Sequence, residues 1–299
     1  VGANWVDLVD PSREELLYAL PAYVDPEVVE LMAAHPDPER EARPLLESHG
    51  AYAFGVFVAL RHLGAGLVDA QEIDFIATPE LLVTVRKTAP GGAPFDPGVL
   101  RPAQEAEAPV GVLVHRIIDE VSDSYLDFME AVYAQIDEFE DRIDELRTGD
   151  IRSRLLEARH RLLLRRRMIS ATREAVRRVL DGRVEVGAHS LFPTEVEQLF
   201  GDTYDTLVRA TEEVDIARDL LSGARDHLQA KIAEAQNDIA KKLTVIASLV
   251  LVPSFITGFY GQNFEGEFGK GFWTLGVAVG LIVSSTIVQL VLFRWRRWI

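Results

Sequence analysis

LTVIASLVLVPSFITGFY (Leu243–Tyr260), GQNFEGEFGKG (Gly261–Gly271) and FWTLGVAVGLIVSSTIVQLVLF (Phe272–Phe293) run consecutively near the C-terminus. The first and third stretches carry no charge and hold 18 and 22 residues. A helix needs ~20 residues to cross ~30 Å of hydrocarbon. The 11 residues between them force the two spans into a hairpin, so both chain ends lie on one side of the membrane. A soluble core helix is rarely so long and so free of charge, which disfavours a buried hairpin.

Flanking charge orients the hairpin. Lys241 and Lys242 precede the first span, and Arg294, Arg296 and Arg297 follow the second. Basic residues mark the cytoplasmic side, so both termini are expected inside a cell membrane. The connecting loop, with Glu265 and Glu267 against Lys270, is expected outside. Trp273, Trp295 and Trp298 fall near the expected interfaces, where indoles are enriched.

The net charge of −16 resides almost wholly before the spans. An acidic body argues against nucleic acid as a partner, since phosphate needs a basic face. There is no cysteine, which removes thiol catalysis and thiolate metal sites. No basic and apolar leader is visible at the N-terminus. The seven histidines lack metal-ligand spacing, and no phosphate-binding loop or nucleophile elbow occurs. An enzyme is therefore not expected.

The domains expected are an α/β domain over 1–108, a helical hairpin over 109–190 and a long stalk helix over 191–242. Then come the first span (243–260), the outer loop (261–271), the second span (272–293) and a basic tail (294–299). Strands are expected at Trp5–Val9, Tyr52–Leu60, Glu72–Ala77 and Leu81–Arg86, all rich in β-branched or aromatic residues. Asp10-Pro11-Ser12 followed by acids reads as a capped helix start, and Gly64-Ala65-Gly66 as a turn. The helical hairpin pairs an acidic first helix with an arginine-rich second one, broken at Thr148-Gly149-Asp150. After Pro193 no proline occurs before Pro253, so one helix of roughly 65 residues, about 100 Å, should run into the first span. No monomer buries a helix that long, and an oligomer is implied.

Steps of three and four from Asn237 give Ala240, Thr244, Ala247, Leu251, Ser254 and Gly258. All but Leu251 are small or polar, and the remaining positions are mostly bulky. A 3.5-residue spacing is the seam of a left-handed bundle. Two readings meet here: close packing against the second span, or the lining of a pore built from several copies. Carboxamides at Asn237 and Asn263 bracket the stripe and favour the pore, with Leu251 as a hydrophobic gate.

Tyr260-Gly261-Gln262-Asn263-Phe264 at the outer end of the first of two terminal spans resembles the CorA family of divalent-cation channels, with Gln262 where that family carries Met. Leu243-Thr244-Val245-Ile246-Ala247, Phe255-Ile256-Thr257-Gly258 and the helical Asp202-Thr203-Tyr204-Asp205 are also CorA-like, and Arg43-Pro44 is a fainter echo. The resemblance implies a homopentameric funnel: an α/β cytoplasmic domain and a long stalk helix continuing into a two-helix transmembrane hairpin, with the first spans lining the pore. It implies Mg²⁺ influx, with Co²⁺ and Ni²⁺ as further cargo, and Mg²⁺ as the regulatory ion. It places Gly261, Gln262 and Asn263 at the pore entrance, where an Asn263 ring would hold a hydrated ion. It places Asn237, Leu243, Thr244, Leu251, Ser254 and Gly258 along the pore. Asp202, with Asp205, matches an acid that binds intracellular Mg²⁺ between neighbouring subunits and holds the channel shut. The second acid of that pair belongs near residues 60–69, where His62 and Asp69 are alternatives and neither is assigned. A Zn²⁺ transporter of the same superfamily, coupled to protons, and a membrane-anchored scaffold or sensor without a pore are the competing readings.

Overall fold

The computed structural model describes residues 4–36, 43–64, 67–88, 97–100, 103, 108–142, 148–187, 190–261 and 272–298. The chain divides into two units, Val1–Arg225 and Asp226–Ile299.

The first unit is built on a five-stranded sheet of order β1-β5-β4-β3-β2. Its strands are β1 (Asn4–Val9), β2 (Leu45–Ser48), β3 (Ala53–Gly64), β4 (Leu67–Ala77) and β5 (Leu81–Lys87). β1 runs parallel to β5 and every other neighbour is antiparallel. The four strands expected from sequence are present. Gly64 pairs with Leu67 across the connection, where the turn was expected; residues 65–66 lie outside the described residues.

Helices α1 (Arg13–Ala19) and α2 (Pro26–Ala33) cover one face of the sheet. Ser12 caps α1 as its sequence implies: Glu15 N donates to Ser12 Oγ at 3.3 Å and Ser12 N donates to Glu15 Oε2 at 2.8 Å. Leu16, Leu20, Val28 and Met32 pack on Phe54, Ile76, Val83 and Val85. On the other face Phe57 and Phe75 stack at 5.8 Å. Gly55 lies under that layer, where a Cβ would stand 2.4 Å from the Phe75 ring.

Helix α3 (Val110–Arg142) lies along β3. Tyr125 Oη donates to the Val58 carbonyl at 2.9 Å, and Leu60 N donates to Ser124 Oγ at 3.0 Å. Helix α4 (Thr148–Leu180) follows. Thr148-Gly149-Asp150 are its first residues rather than the break between the two helices; residues 143–147 lie outside the described residues. Glycine is only a weak helix breaker, costing about 1 kcal/mol, and one such residue at a helix start is tolerated. The arginines of α4 reach beyond the acidic α3. Arg166 grips Asp215 through Nε at 2.9 Å and Nη2 at 3.2 Å, and Arg178 meets Glu47 of β2 at 3.0 Å.

The edge of β2 is covered by the segment after α4. Gly187 N donates to the Gly50 carbonyl at 2.6 Å, and Ser48 Oγ donates to the Glu185 carbonyl. That contact gives an otherwise open strand edge a partner.

Helix α5 (Thr194–Gly261) is continuous over 68 residues with Pro253 inside it. Within the first unit a buried row runs Val196, Phe200, Thr203, Leu207, Ala210, Val214, Ala217, Leu221 and Ala224, with Thr211 buried beside it. The row alternates by three and four, the period of a helix packed along one seam.

The second unit contains the rest of α5 and helix α6 (Phe272–Trp295). Each helix has a stretch apolar and long enough to cross a membrane, with 6% and 0% of those stretches buried. A soluble core helix would be mostly covered, so the buried-hairpin reading does not fit this exposure. Each helix nevertheless has one covered face. On α5 it comprises Lys241, Val245, Ser248, Leu249, Val252, Pro253 and Ile256, and on α6 Ala278, Ile282, Ser285, Thr286, Gln289 and Phe293.

Candidate functional site

Asn237, Ala240, Thr244, Ala247, Leu251, Ser254 and Gly258 are all exposed. Successive residues of an α-helix are turned by about 100°, which puts this stripe on the side of α5 away from its covered face. Leu251 is 70% exposed, though it is the one bulky member. Thr244 Oγ1 donates to the Ala240 carbonyl at 2.8 Å, so its hydroxyl is satisfied on its own helix. A Cβ added at Gly258 would meet nothing within 4 Å. Small residues that served packing within the chain would lie on the covered face of α5, where the positions are Lys241, Val245, Ser248, Leu249, Val252, Pro253 and Ile256, mostly bulky.

Leu243, 61% exposed, flanks the stripe beside Thr244. Gly261 is the last residue of α5. Gln262, Asn263, Glu265 and Glu267 lie outside the described residues.

Asp202 and Asp205 are exposed on α5 within the first unit. Between them the helix is pinned by a buried polar chain. Thr203, fully buried, donates to Asp119 Oδ1 at 2.7 Å, and His115 Nε2 lies 3.1 Å from the same threonine hydroxyl. Since that hydroxyl hydrogen goes to Asp119, its oxygen accepts from His115, which fixes the Nε2–H tautomer. His115 also meets Phe200 edge-on at 5.0 Å, and Phe192 meets Phe200 the same way at 5.2 Å. Burial lowers the His115 pKa, against the pull of Asp119, so the ring is neutral at neutral pH. The sequence reading missed this chain, because it joins residues 84 and 88 positions apart and no local spacing marks it.

Asp119, Asp123 and Asp127 recur every four residues on α3, hence on one face. Burial and the neighbouring acids hold the Glu120 and Asp123 carboxyls above their usual range. Among the described residues no group of three or more His, Cys, Asp or Glu is arranged to hold a metal. Asp202 and Asp205 therefore do not close a cation site within the described part of one chain. The side chains of His62 and Asp69 lie outside the described residues.

The deepest charge cluster lies in the sheet. Lys87 Nζ sits 2.7 Å from Glu72 Oε1, 2.7 Å from Asp74 Oδ2 and 2.8 Å from the Leu31 carbonyl oxygen. Asp74 is 1% exposed; its Oδ2 contact is off the line of a hydrogen bond and its Oδ1 meets no donor. Burial pushes the Asp74 carboxyl up to about 8 despite the attraction of Lys87. Burial alone would lower the Lys87 pKa, but the two carboxylates outweigh it and hold it raised. With Asp74 protonated the cluster is a neutral Lys–Glu pair plus a buried acid.

Residues 2–297 match the family described as CorA-like Mg²⁺ transporter protein. The cobalt/magnesium transport protein CorA of Thermotoga maritima is 23% identical over 310 residues, covering 99% of this chain and 83% of that one. The solved CorA magnesium transporter of Methanocaldococcus jannaschii superimposes with a TM-score of 0.78 at 20% identity, over 99% of this chain and 91% of that chain. The zinc transport protein ZntB of Cronobacter sakazakii is 26% identical over 181 residues, 60% of this chain and 53% of its own length.

Proposed function

The chain belongs to the family of CorA-like Mg²⁺ transporter proteins, and on that premise we propose that it admits Mg²⁺, and with it Co²⁺ and Ni²⁺, through a pore lined by α5. The pore is formed by several copies of the chain, a pentamer by family likeness, with both termini on the cytoplasmic side. The observation that carries this reading is the exposure of the Asn237–Gly258 stripe on the side of α5 away from its covered face. In hydrocarbon, side chains such as Thr244 and Ser254 gain nothing from lipid, whereas a water-filled axis suits them.

Mg²⁺ gives up its water reluctantly. A ring of Asn263 carboxamides at the outer mouth would bind the ion through that water, and Gly261 and Gln262 would shape the ring. Inside, the ring of Leu251 side chains would close the pore by excluding water, with Leu243 below it. Two inward charges gain about 4.6 kcal/mol per 100 mV, enough to drive uptake without a coupled reaction. Internal Mg²⁺ bound at Asp202 and Asp205 between copies would relieve the repulsion of facing carboxylates and hold the closed state by preferring it. Glu265 and Glu267 would draw cations to the outer mouth.

The test is flux of Mg²⁺, Co²⁺ and Zn²⁺ into liposomes holding the purified protein, with and without a proton gradient. Mg²⁺ flux that is lost in Asn263→Ala, with assembly intact, is the expected result. Zn²⁺ flux that requires the proton gradient, with none for Mg²⁺, would move the protein to the zinc-carrying branch. No divalent flux at all would leave a membrane-anchored scaffold.

A further inference from the structure

Helix α6 carries four described polar side chains between its aromatic ends, and three are self-sufficient. Ser284, Ser285 and Thr286 donate to the carbonyls of Leu281, Ile282 and Ile282 at 3.2, 3.0 and 2.8 Å. Gln289 differs. Its Oε1 is buried and has no hydrogen-bond partner. An orphaned polar group at membrane depth costs several kcal/mol unless another group satisfies it. A group on the covered face of the other helix would satisfy it.

Gln289 belongs to the covered face of α6, in line with Ala278, Ile282, Ser285 and Phe293. The covered face of α5 includes Val245 and Ser248. Residues equally far from the turn of an antiparallel hairpin share a depth. Val245 and Gln289 stand about 22 residues either side of the middle of the connection 262–271, by the spacing of the sequence. Ser248 is one turn away, about 4.5 Å along the axis, within the span of a glutamine side chain. It is the hydroxyl of the covered α5 face at this depth. At present it donates to the Val245 carbonyl at 3.0 Å, a local back-bond of little worth that one χ1 step releases. A serine hydroxyl both donates and accepts, so either orientation of the carboxamide can pair with it.

We infer that Gln289 is a positioning residue of the pore: its carboxamide pairs with the Ser248 hydroxyl across the hairpin in a second arrangement of the two helices, and so sets how the pore helix rests on the second span. The unpaired oxygen seen here is the arrangement in which Ser248 bonds to its own backbone. A helix that shifts or turns on its neighbour by part of a turn exchanges one bond for the other. The depth of this contact is that of Leu243 and Thr244, at the inner end of the first span, where a small rotation of α5 changes what faces the axis. The inference rests on the transport reading given above.

The chain has no cysteine, which makes a cross-linking test direct. The Ser248→Cys/Gln289→Cys double variant of the full-length protein in liposomes should be joined within one chain by a short bifunctional thiol reagent. Ser248→Cys/Val288→Cys should not, because Val288 is 64% exposed on the other side of α6. No link in the first pair, or equal linking in both, overturns the contact. The role is read from the internal Mg²⁺ concentration that halves flux, measured for Gln289→Met, Ser248→Ala and both together. Interhelical hydrogen bonds in membranes average about 0.6 kcal/mol, so each single variant should shift that concentration about threefold with an unchanged melting temperature. The double variant should shift it no further than either single one. Wild-type behaviour of Gln289→Met, or additive shifts, would overturn the positioning role. A wild-type protein that conducts no divalent cation would sink the transport reading, while the cross-link still decides the contact.

Discussion

Replacing Gly111 by alanine sets two effects of known size against each other. In the first turn of α3 an alanine is favoured over glycine by about 1 kcal/mol of helix propensity. Against that, a Cβ at 111 would stand 2.2 Å from the Leu191 carbonyl oxygen and 3.3 Å from its carbon. Ordinary contact begins near 3.4 Å, so the two backbones must part by about 1 Å. They cannot part freely. Leu191 is 4% exposed and Phe192 2%, and Phe192 is locked edge-on against Phe200, which in turn meets His115. Strain of this kind in a packed core costs about 1–3 kcal/mol, and with the backbone having to move the upper end applies, leaving a net loss of about 2 kcal/mol after the propensity gain. For a unit of this size each kcal/mol is worth about 2–4 °C, and Gly111→Ala should melt roughly 4–8 °C below wild type in detergent. Gly223→Ala, on an exposed turn of α5 with nothing within 4 Å of the added Cβ, should be neutral or slightly stabilising. A Gly111→Ala protein that melts at or above the wild-type temperature would refute the close approach of Leu191 and the reasoning built on it.

Three further outcomes are expected. Asp74 is held protonated in the fold, with its carboxyl raised from 3.8 to about 8; the stability this gives is complete below pH ~4 and is lost as pH rises through ~8. Thermal melts of Asp74→Asn and wild type from pH 5 to 9 should diverge, wild type losing up to about 1.4 kcal/mol per pH unit relative to the variant, and parallel curves would remove the buried proton. Leu251→Ser should raise Mg²⁺ leak at inhibitory internal Mg²⁺ by wetting the constriction; unchanged leak in a folded protein places the gate at Leu243. Asp202→Ala should move inhibition to higher internal Mg²⁺ and leave selectivity as it was, and closure at the wild-type concentration in both Asp202→Ala and the Asp202/Asp205 double variant would put the sensor elsewhere.

Some of this protein is written in one dimension. Two uncharged stretches of 18 and 22 residues, Leu243–Tyr260 and Phe272–Phe293, identify membrane helices because length and hydropathy suffice for that. The uninterrupted run from Thr194 to Gly261 is one helix, and the Ser12–Glu15 box caps α1, since helix signals act over three or four residues. The strands at β1, β3, β4 and β5 were legible from β-branched runs. β2 was not: Leu45–Ser48 is four residues without alternation, and pairing with β3 and the 185–187 segment makes it a strand. The stripe from Asn237 to Gly258 was visible as a spacing, but which way it points was not, because a helical period gives a face without naming its neighbour. Burial in the single chain adds that Val245, Ser248, Leu249, Val252 and Ile256 are covered, while the stripe is open, as are Ile246, Val250 and Phe255. The remaining decisions are long-range. Gly111 against Leu191, Thr203 between His115 and Asp119, and Lys87 between Glu72 and Asp74 join residues far apart in sequence or on separate strands. Their energies depend on distances of a few tenths of an ångström and on the exclusion of water, and only the folded chain sets either.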